Sequence, residues 1–223
     1  MIKQTIIYFF FIGTILNGQT TGMFGKVGES LIGIEGQYDS ESDAGSTIST
    51  INIGGSYVLD GNIEVAMDYR MSKVKYDNDS SMDLDFNGLS FGGYYHIKSN
   101  ESIPVNIRVG GAYSEAKASA DWLDDANVDL ESKATSFGGG LYKSVYEKDA
   151  TIVMAHINLS SVASEETLSD MNGNSDKTKN DFFATSVGIA LRNKNVFISL
   201  SIGRVDGESS FQISFGLLLP QWE

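Results

Sequence analysis

Apolar and polar positions alternate along the stretch from residue 51 to residue 71, interrupted once by Asp60-Gly61. A period of two predicts β-strands, because successive side chains of a strand point to opposite faces of the sheet. Asp-Gly is typical of a two-residue type I′ turn, since both positions tolerate positive φ. The pattern therefore predicts a β-hairpin. Its apolar face consists of Ile51, Ile53, Gly55, Tyr57 and Leu59, followed by Ile63, Val65, Met67, Tyr69 and Met71.

The opposite face of this hairpin is unusual for a soluble protein. A soluble sandwich exposes much Lys, Glu and Thr to water, whereas here the polar face carries Gly, Ser and Ala with a few charges of both signs. The apolar face is broad and nearly free of charge. These two faces are typical of a transmembrane barrel, which has lipid outside and a packed polar interior.

The same alternation recurs along the rest of the chain and predicts ten strands. In the fourth strand the apolar residues change face between Phe86 and Leu89, and a β-bulge at Asn87-Gly88 would account for that change. The strand count falls to eight if the region 128–146 is misread. The predicted strands are centred on residues 30–40, 51–59, 63–76, 83–98, 105–113, 137–145, 151–163, 183–191, 198–202 and 211–219.

Connections between the predicted strands alternate between polar loops and short turns. The longer connections, at 41–46, 77–81, 121–129 and 164–180, would all collect at one rim of a meandering barrel. An even strand number returns both termini to the other rim. We therefore expect an all-β, antiparallel, up-and-down transmembrane β-barrel with its loops on one side.

Residues 1–18 have the layout of a secretory signal peptide. Lys3 precedes an apolar run from Thr5 to Leu16, and Asn17-Gly18-Gln19 offers a small residue for cleavage. The run is too short to cross a bilayer as a helix. An uncleaved N-terminal anchor is the alternative. We expect a signal peptide at 1–18 and a barrel domain at 19–223.

Composition narrows the possible functions. A net charge of -13 disfavours nucleic-acid binding, which requires a basic surface. The absence of cysteine excludes disulfides, thiolate metal sites and cysteine nucleophiles. No cofactor and no metal ion are predicted.

The signal peptide, the Gly- and aromatic-rich strands and the alternating connections resemble small outer-membrane β-barrel proteins of the OmpA-like and opacity-protein type. The resemblance covers the mature chain and implies location in the bacterial outer membrane. Two features depart from that class. Most of its members have eight strands, and many end on an aromatic residue, whereas this chain ends Pro220-Gln221-Trp222-Glu223.

Five charged residues are predicted to face the lumen. A ring of such charges could select ions in a pore. The favoured interpretation is an internal network that fills a narrow barrel, because buried charges are tolerated only when they are paired. These residues are Glu35, Glu64, Asp68, Arg70 and Arg108.

A set of tyrosines falls near strand ends on the apolar face. In a membrane barrel such residues form girdles at the two interfaces, where an amphipathic ring is best accommodated. The predicted girdle consists of Tyr38, Tyr57, Tyr69, Tyr95 and Tyr113.

An outer-membrane hydrolase would have to use His96 or His156, which are the two histidines of the chain. His156 shares a face with Ser160, but two positions on one strand do not make a catalytic triad. The acidic segments 39–43, 77–85, 121–129 and 165–181 lack the spacing of a calcium loop and are interpreted as solvated loops.

The sequence therefore favours a non-enzymatic outer-membrane barrel with a structural or surface role and acidic extracellular loops. The alternatives are a small porin-like channel, a soluble barrel with an apolar ligand inside, and a hydrolase. The expected partners are outer-membrane lipid, lipopolysaccharide and the outer-membrane insertion machinery. A monomer is expected.

Overall fold

A computed structural model describes residues 21–43, 46–77, 80–205 and 208–220. The predicted signal peptide and Trp222 lie outside these ranges. The elements are α1 (Thr21–Phe24), β1 (Leu31–Asp43), β2 (Ser46–Leu59), β3 (Ile63–Tyr76), a 3-10 turn (Ser80–Met82), β4 (Leu84–Ile97), β5 (Asn106–Ser119), α2 (Asp121–Ala126), β6 (Val128–Lys148), β7 (Thr151–Asp170), β8 (Ser175–Asn193), β9 (Val196–Val205) and β10 (Glu208–Pro220).

The ten strands form one closed antiparallel barrel in which each strand pairs with its neighbours in sequence. The barrel closes between β1 and β10, in a register that runs from Leu31 opposite Pro220 to Ser40 opposite Phe211. Since β6 is a single strand, the eight-strand alternative is wrong. The predicted all-β, up-and-down, ten-stranded fold is confirmed.

Both described ends of the chain reach the same rim of the barrel, which we call the terminal end. The opposite rim is the distal end. The central part of the outer wall is an apolar belt, with side chains such as Met67 and Phe91 about half exposed, at 54% and 49%. A closed sheet with an apolar exterior satisfies every ladder hydrogen bond internally, which is what a lipid bilayer requires. Among the described residues, no helix is long and apolar enough to cross a membrane.

The hairpin around Asp60-Gly61 follows the predicted faces, but its turn has one more residue than expected. Leu59 pairs with Ile63, so the loop comprises residues 60–62. Asp60 and Gly61 both have positive φ, at 51° and 70°, as their sequence indicated. With three residues in the loop, odd-numbered residues of β2 pair with odd-numbered residues of β3. The apolar faces of the two strands therefore lie on the same side of the sheet.

The predicted bulge at Asn87-Gly88 is wrong. Pairing of β4 with β3 and β5 continues without a register shift through these residues. Leu84 and Phe86 point into the lumen, as Ser90 does. The apolar pattern changes face because the lumen itself becomes apolar towards the distal end. Within the described strands, a register shift lies instead between Ser144 and Tyr146 on β6.

Two predicted loops are largely strand. The segment 41–46 contributes the end of β1 and the start of β2, and the segment 164–180 forms the ends of β7 and β8 around a turn at 171–174. Polar residues on both faces made these segments look like loops. Backbone pairing with a neighbouring strand keeps these segments extended beyond the apolar belt. The distal end therefore differs from the terminal end mainly by strands that project past the belt, and less by long loops.

Candidate functional site in the barrel lumen

The terminal end of the lumen holds the segment Thr21–Phe24, whose four residues are all buried. The backbone N–H of Gly22 donates to Glu64 Oε1 at 3.2 Å, and Lys98 Nζ donates to the Gly22 carbonyl at 3.0 Å. Arg192 donates to the Phe24 carbonyl at 3.4 Å. Inward-facing side chains of the barrel thus satisfy backbone groups of this segment that water would otherwise solvate.

A buried polar network surrounds these contacts. His96 lies between Glu64, with Nε2 2.9 Å from Oε2, and Tyr142, with Nδ1 3.0 Å from the hydroxyl. Lys98 also donates to the Tyr142 hydroxyl at 3.1 Å. Glu64 and His96 are fully buried. Because each polar group has a partner, the barrel tolerates this buried charge.

The apolar side chains of the segment complete the terminal layer. Phe24 packs against Phe197 with a ring-centroid distance of 6.0 Å. Met23 and Phe24 belong to a buried cluster with inward residues of five strands. The other members of this cluster are Tyr142, Met154, Ala190, Phe197 and Leu218.

The middle of the lumen is polar and contains Arg70 and Arg108. Arg70 Nε donates to Asn52 Oδ1 at 2.9 Å, and Asn52 in turn lies 3.4 Å from Asp39 Oδ2. Arg108 donates to Asn158 Oδ1 at 2.9 Å. These contacts tie the neighbouring strands β1, β2 and β3 to one another and tie β5 to β7 across β6.

Arg108 also lies over the ring of Tyr94, with 5.1 Å between the guanidinium carbon and the ring centroid. A cavity of about 20 Å³ opens beside this pair. The cavity is no larger than about one water molecule. The lining includes Gly110, Ser136, Gly138 and Ser160.

The distal layer of the lumen is apolar. Inward residues of eight strands and Leu123 of α2 form one buried cluster, which we call the distal cluster. At the same level the outer wall carries charges, among them the pair Lys117–Asp129 at 2.7 Å and the pair Lys73–Asp85 at 3.5 Å. The members of the distal cluster are Ile48, Val74, Leu84, Phe86, Ala116, Ala118, Leu123, Leu130, Ala134, Val162, Phe182, Ala184 and Val205.

One carboxyl group faces this apolar layer. Glu166 lies on the inward face of β7, opposite Ser132 of β6. Burial raises the pKa of the Glu166 carboxyl to about 7. Its outward neighbour Glu165 accepts hydrogen bonds from Lys177 and Lys179, which lower the pKa of the Glu165 carboxyl. Adjacent residues on opposite faces therefore have carboxyl pKa values shifted in opposite directions.

The structure places the five predicted lumen charges on the inward face. Glu35, Glu64, Arg70 and Arg108 are buried, and Asp68 is half-buried beside Gly54. Glu64 joins the terminal network, while the two arginines lie in the middle layer. The charges are thus distributed over different levels of the lumen. Their role as a packed network stays a prediction.

The five predicted girdle tyrosines lie on the outer wall. Tyr38, Tyr69, Tyr95 and Tyr113 are exposed, and Tyr57 is half-buried. Tyr57 and Tyr95 lie towards the terminal end, and the other three lie towards the distal end. This is the placement that two interfacial girdles would have, and their role at the membrane surface stays a prediction.

The two histidines are engaged differently. His156 Nδ1 lies 3.2 Å from the Asn158 amide, and His156 Nε2 has no hydrogen-bond partner in the described part of the chain. Ser160 is not a partner of either nitrogen. The geometry of a Ser-His pair is therefore absent among the described residues.

Several residues of the lumen were missed at the level of sequence. Thr21–Phe24 was assigned only to the barrel domain, and nothing in its composition indicates that it enters the lumen. Tyr94 and Tyr142 carry a weak signal, because each is a large ring on a face of mainly small residues. The helix α2 was assigned to a polar loop; Asn127, with a φ of 52°, ends it before β6.

No family model matches the chain, and no curated protein matches it. Among solved structures, the translocator domain of autotransporter NalP from Neisseria meningitidis is similar, with a TM-score of 0.53, 11% identity and coverage of 99% of this chain and 98% of that chain. Ail, the attachment invasion locus protein of Yersinia pestis, has a TM-score of 0.37 and 15% identity, covering 87% of this chain and 100% of that one. OprG from Pseudomonas aeruginosa has a TM-score of 0.41 and 9% identity, covering 87% and 98%.

The similarity to the NalP translocator domain shows the fold alone: this chain has the fold of an outer-membrane β-barrel. The predicted location in the bacterial outer membrane agrees with that fold and with the apolar belt of the outer wall. The chain thus has an outer-membrane barrel architecture of the kind that the sequence resemblance implied.

Proposed function

We propose that the protein is a non-conducting, non-enzymatic outer-membrane barrel that presents its distal end to the cell exterior. The observation that carries this proposal is that the lumen is filled at two levels. Residues Thr21–Phe24 occupy the terminal layer and the distal cluster occupies the other. An ion crossing the barrel would have to displace one layer and then leave water in the second, which is unfavourable.

The surface offered to the exterior is formed mainly by the long strands β6, β7 and β8. Their distal parts extend past the apolar belt and carry exposed charges of both signs, including Glu165, Lys177 and Lys179. Met171 at the β7–β8 turn is 79% exposed. A rigid paired sheet of this kind can hold a contact surface away from the membrane without a flexible loop.

In this proposal, residues 1–18 are a cleaved signal peptide and the barrel domain begins at residue 19. The barrel would be a monomer that is folded by the outer-membrane insertion machinery and surrounded by lipopolysaccharide in the outer leaflet. The girdle tyrosines would lie at the two membrane interfaces, where an aromatic ring with a polar tip is most stable. The inward charges would serve packing.

Conductance and topology test the proposal together. Purified protein in a planar bilayer should show no steady ion current. The chain has no cysteine, so single-cysteine variants can report topology on intact cells. Met171→Cys should react with a membrane-impermeant maleimide, and the matched variant Lys148→Cys, at the terminal end of β6, should not.

Either of two results would overturn the proposal. A reproducible single-channel current from the unmodified protein would favour the alternative of a small porin-like channel, for which the polar middle layer around Arg70 and Arg108 would be the selective region. Labelling of Lys148→Cys in place of Met171→Cys would reverse the orientation.

A further inference from the structure

The terminal end of the lumen is built as a receptor for a short stretch of backbone. Glu64 accepts from one N–H of the segment, while Lys98 and Arg192 donate to two of its carbonyls. Glu64 lies on β3, Arg192 lies on β8, and Lys98 directly follows the end of β4. Hydrogen bonding to main-chain groups is one of the ways in which proteins bind a peptide.

Two glycines give the segment its room. A Cβ on Gly33 of β1 would collide with the Thr21 side chain, and a Cβ on Gly22 would collide with His96 and Glu64. His96 and Glu64 are fully buried and bonded to each other, so neither can move aside without losing that bond. Close approach of the segment to the wall therefore depends on glycine at both positions.

The contacts of the segment lie on both sides of the barrel closure. Thr21 packs on Gly33 of β1, whereas Phe24 packs on Phe197 of β9 and shares a buried cluster with Leu218 of β10. The pairing of β1 with β10 joins the most distant parts of the chain, and its formation therefore carries the largest loop-closure entropy of any strand pair. Contacts that a segment attached to β1 makes with β9 and β10 therefore stabilise this pairing.

The chain between the segment and β1 is also fixed. The Gly28 N–H donates to the Asp60 carbonyl at 3.1 Å, and the Asp60 N–H donates to the Ser30 hydroxyl at 3.2 Å. A Cβ on Gly61 would collide with the Lys26 backbone. Residues 26–30 are thus held against the β2–β3 turn, which directs Thr21–Phe24 into the lumen.

We propose that the terminal end of the lumen is a peptide-binding cradle, occupied by Thr21–Phe24 of the same chain, and that this docked segment latches the closure between β1 and β10. The ligand class is a short peptide with two small residues followed by two large apolar ones. Docking would follow formation of the sheet, because the cradle is assembled from β1, β3, β4 and the five strands β6 to β10.

Docking can be measured on the full mature protein with a single cysteine. Met23 is 3% exposed, so Met23→Cys should react slowly with a maleimide while the barrel is folded. Adding Gly22→Ala, which places a methyl group against His96 and Glu64, should raise the labelling rate about tenfold or more. Gly93→Ala is the matched control, because a Cβ at Gly93 meets nothing within 4 Å.

The latch is measured by hydrogen exchange on the same variants. Gly22→Ala should accelerate exchange of the β1 and β10 amides about tenfold or more, while amides in the distal parts of the β6–β7 and β7–β8 pairs, which lie away from His96 and Glu64, keep their rates. The mobility shift between boiled and unboiled samples on an SDS gel shows that the barrel is still closed. Phe24→Ala, which keeps the backbone contacts and removes the ring, should give the same pattern with a smaller change.

Two results would overturn the inference. If Met23→Cys reacts as fast in the folded protein as in urea, the segment does not dock. If Gly22→Ala and Phe24→Ala accelerate exchange equally in all strand pairs, or in none, docking does not latch the closure. If Gly22→Ala fails to give a closed barrel, the same criteria apply to Phe24→Ala.

Discussion

The central and distal zones of this barrel share one sheet but have opposite polarity. In the central zone the wall is apolar outside, as at Met67 and Phe91, and polar inside, as at Arg70 and Ser90. In the distal zone the outside carries Lys73 and other charges, and the inside is the distal cluster. The central zone is arranged for lipid, and the distal zone is arranged like a soluble protein.

The strand β4 shows how the change of zone affects the sequence pattern. Its inward residues run from Leu84 and Phe86 at the distal end through Ser90 to His96 at the terminal end. The register of the backbone is continuous along β4. What changes along the strand is the surroundings of each face, because the outer wall passes from lipid to water and the lumen passes from polar to apolar. A change of phase in an alternating pattern can therefore mark the point where a strand leaves the membrane, and does not require a bulge.

The largest expected effect tests the soluble-like character of the distal zone. Phe86→Ala should lower the free energy of unfolding by about 3–5 kcal/mol, because it leaves a cavity in a close-packed apolar layer. The control is Phe91→Ala on the same strand, whose side chain is 49% exposed on the outer wall. Lipid can fill the space left there, so Phe91→Ala should lower the free energy of unfolding by a clearly smaller amount. Urea titration in lipid vesicles measures both, and equal losses would contradict the comparison.

A somewhat smaller effect tests the central zone. Met67→Arg places a charge on the outer wall of β3 and should lower the free energy of unfolding by about 2–4 kcal/mol if Met67 lies near mid-bilayer. Asp68→Asn, the next residue on the inward face, should have a much smaller effect. The same titration measures both variants. If the two substitutions are equally harmful, the assignment of the two faces of β3 is wrong.

The smallest effect uses the pH dependence of the distal zone. The pKa of the buried Glu166 carboxyl is raised to about 7, so the folded state binds more protons than the unfolded state between about pH 4.5 and pH 7. The contribution of Glu166 to stability should therefore fall as pH rises through this range. Glu166→Gln should reduce the difference between pH 5 and pH 8 by an amount on the order of 1–3 kcal/mol.

The control for this measurement is Glu165→Gln, one residue away on the outer face. Hydrogen bonds from Lys177 and Lys179 lower the pKa of the Glu165 carboxyl, so its favourable contribution is lost only as pH falls below the usual range of a glutamate. The unfolding free energies of this variant at pH 5 and pH 8 should differ as in the unmodified protein. A change as large as that of Glu166→Gln would show that both carboxyls have the same environment.

Much of the fold could be predicted from the sequence, and the errors share one cause. The strand count, the closed antiparallel order and the faces of β2 and β3 follow from local alternation. The segment 164–180 was predicted as a loop because both of its faces are polar, yet β7 and β8 remain paired there, from Ser164 opposite Asn180 to Ser169 opposite Ser175. Polarity reports the solvent around a strand, not whether its backbone is paired.

The candidate site could be predicted only in part. Glu64 and Arg108 were identified as inward-facing from alternation on their own strands. Their pairing with Gly22 and Asn158 was not predicted, because Gly22 lies outside the sheet and Asn158 lies on another strand, 42 and 50 residues away along the chain. Alternation indicates the face of a residue and carries no information about which distant residue it meets.

The sequence by itself determined a lipid-facing β-barrel, because a bilayer imposes a continuous apolar belt and a strict period of two on every strand. Only the tertiary structure decided what fills the interior. The terminal segment contacts both β1 and β9, and the distal cluster joins side chains of eight strands across the lumen; such contacts depend on closure of the barrel. No local pattern records them, because they exist only once the two ends of the chain have been brought together.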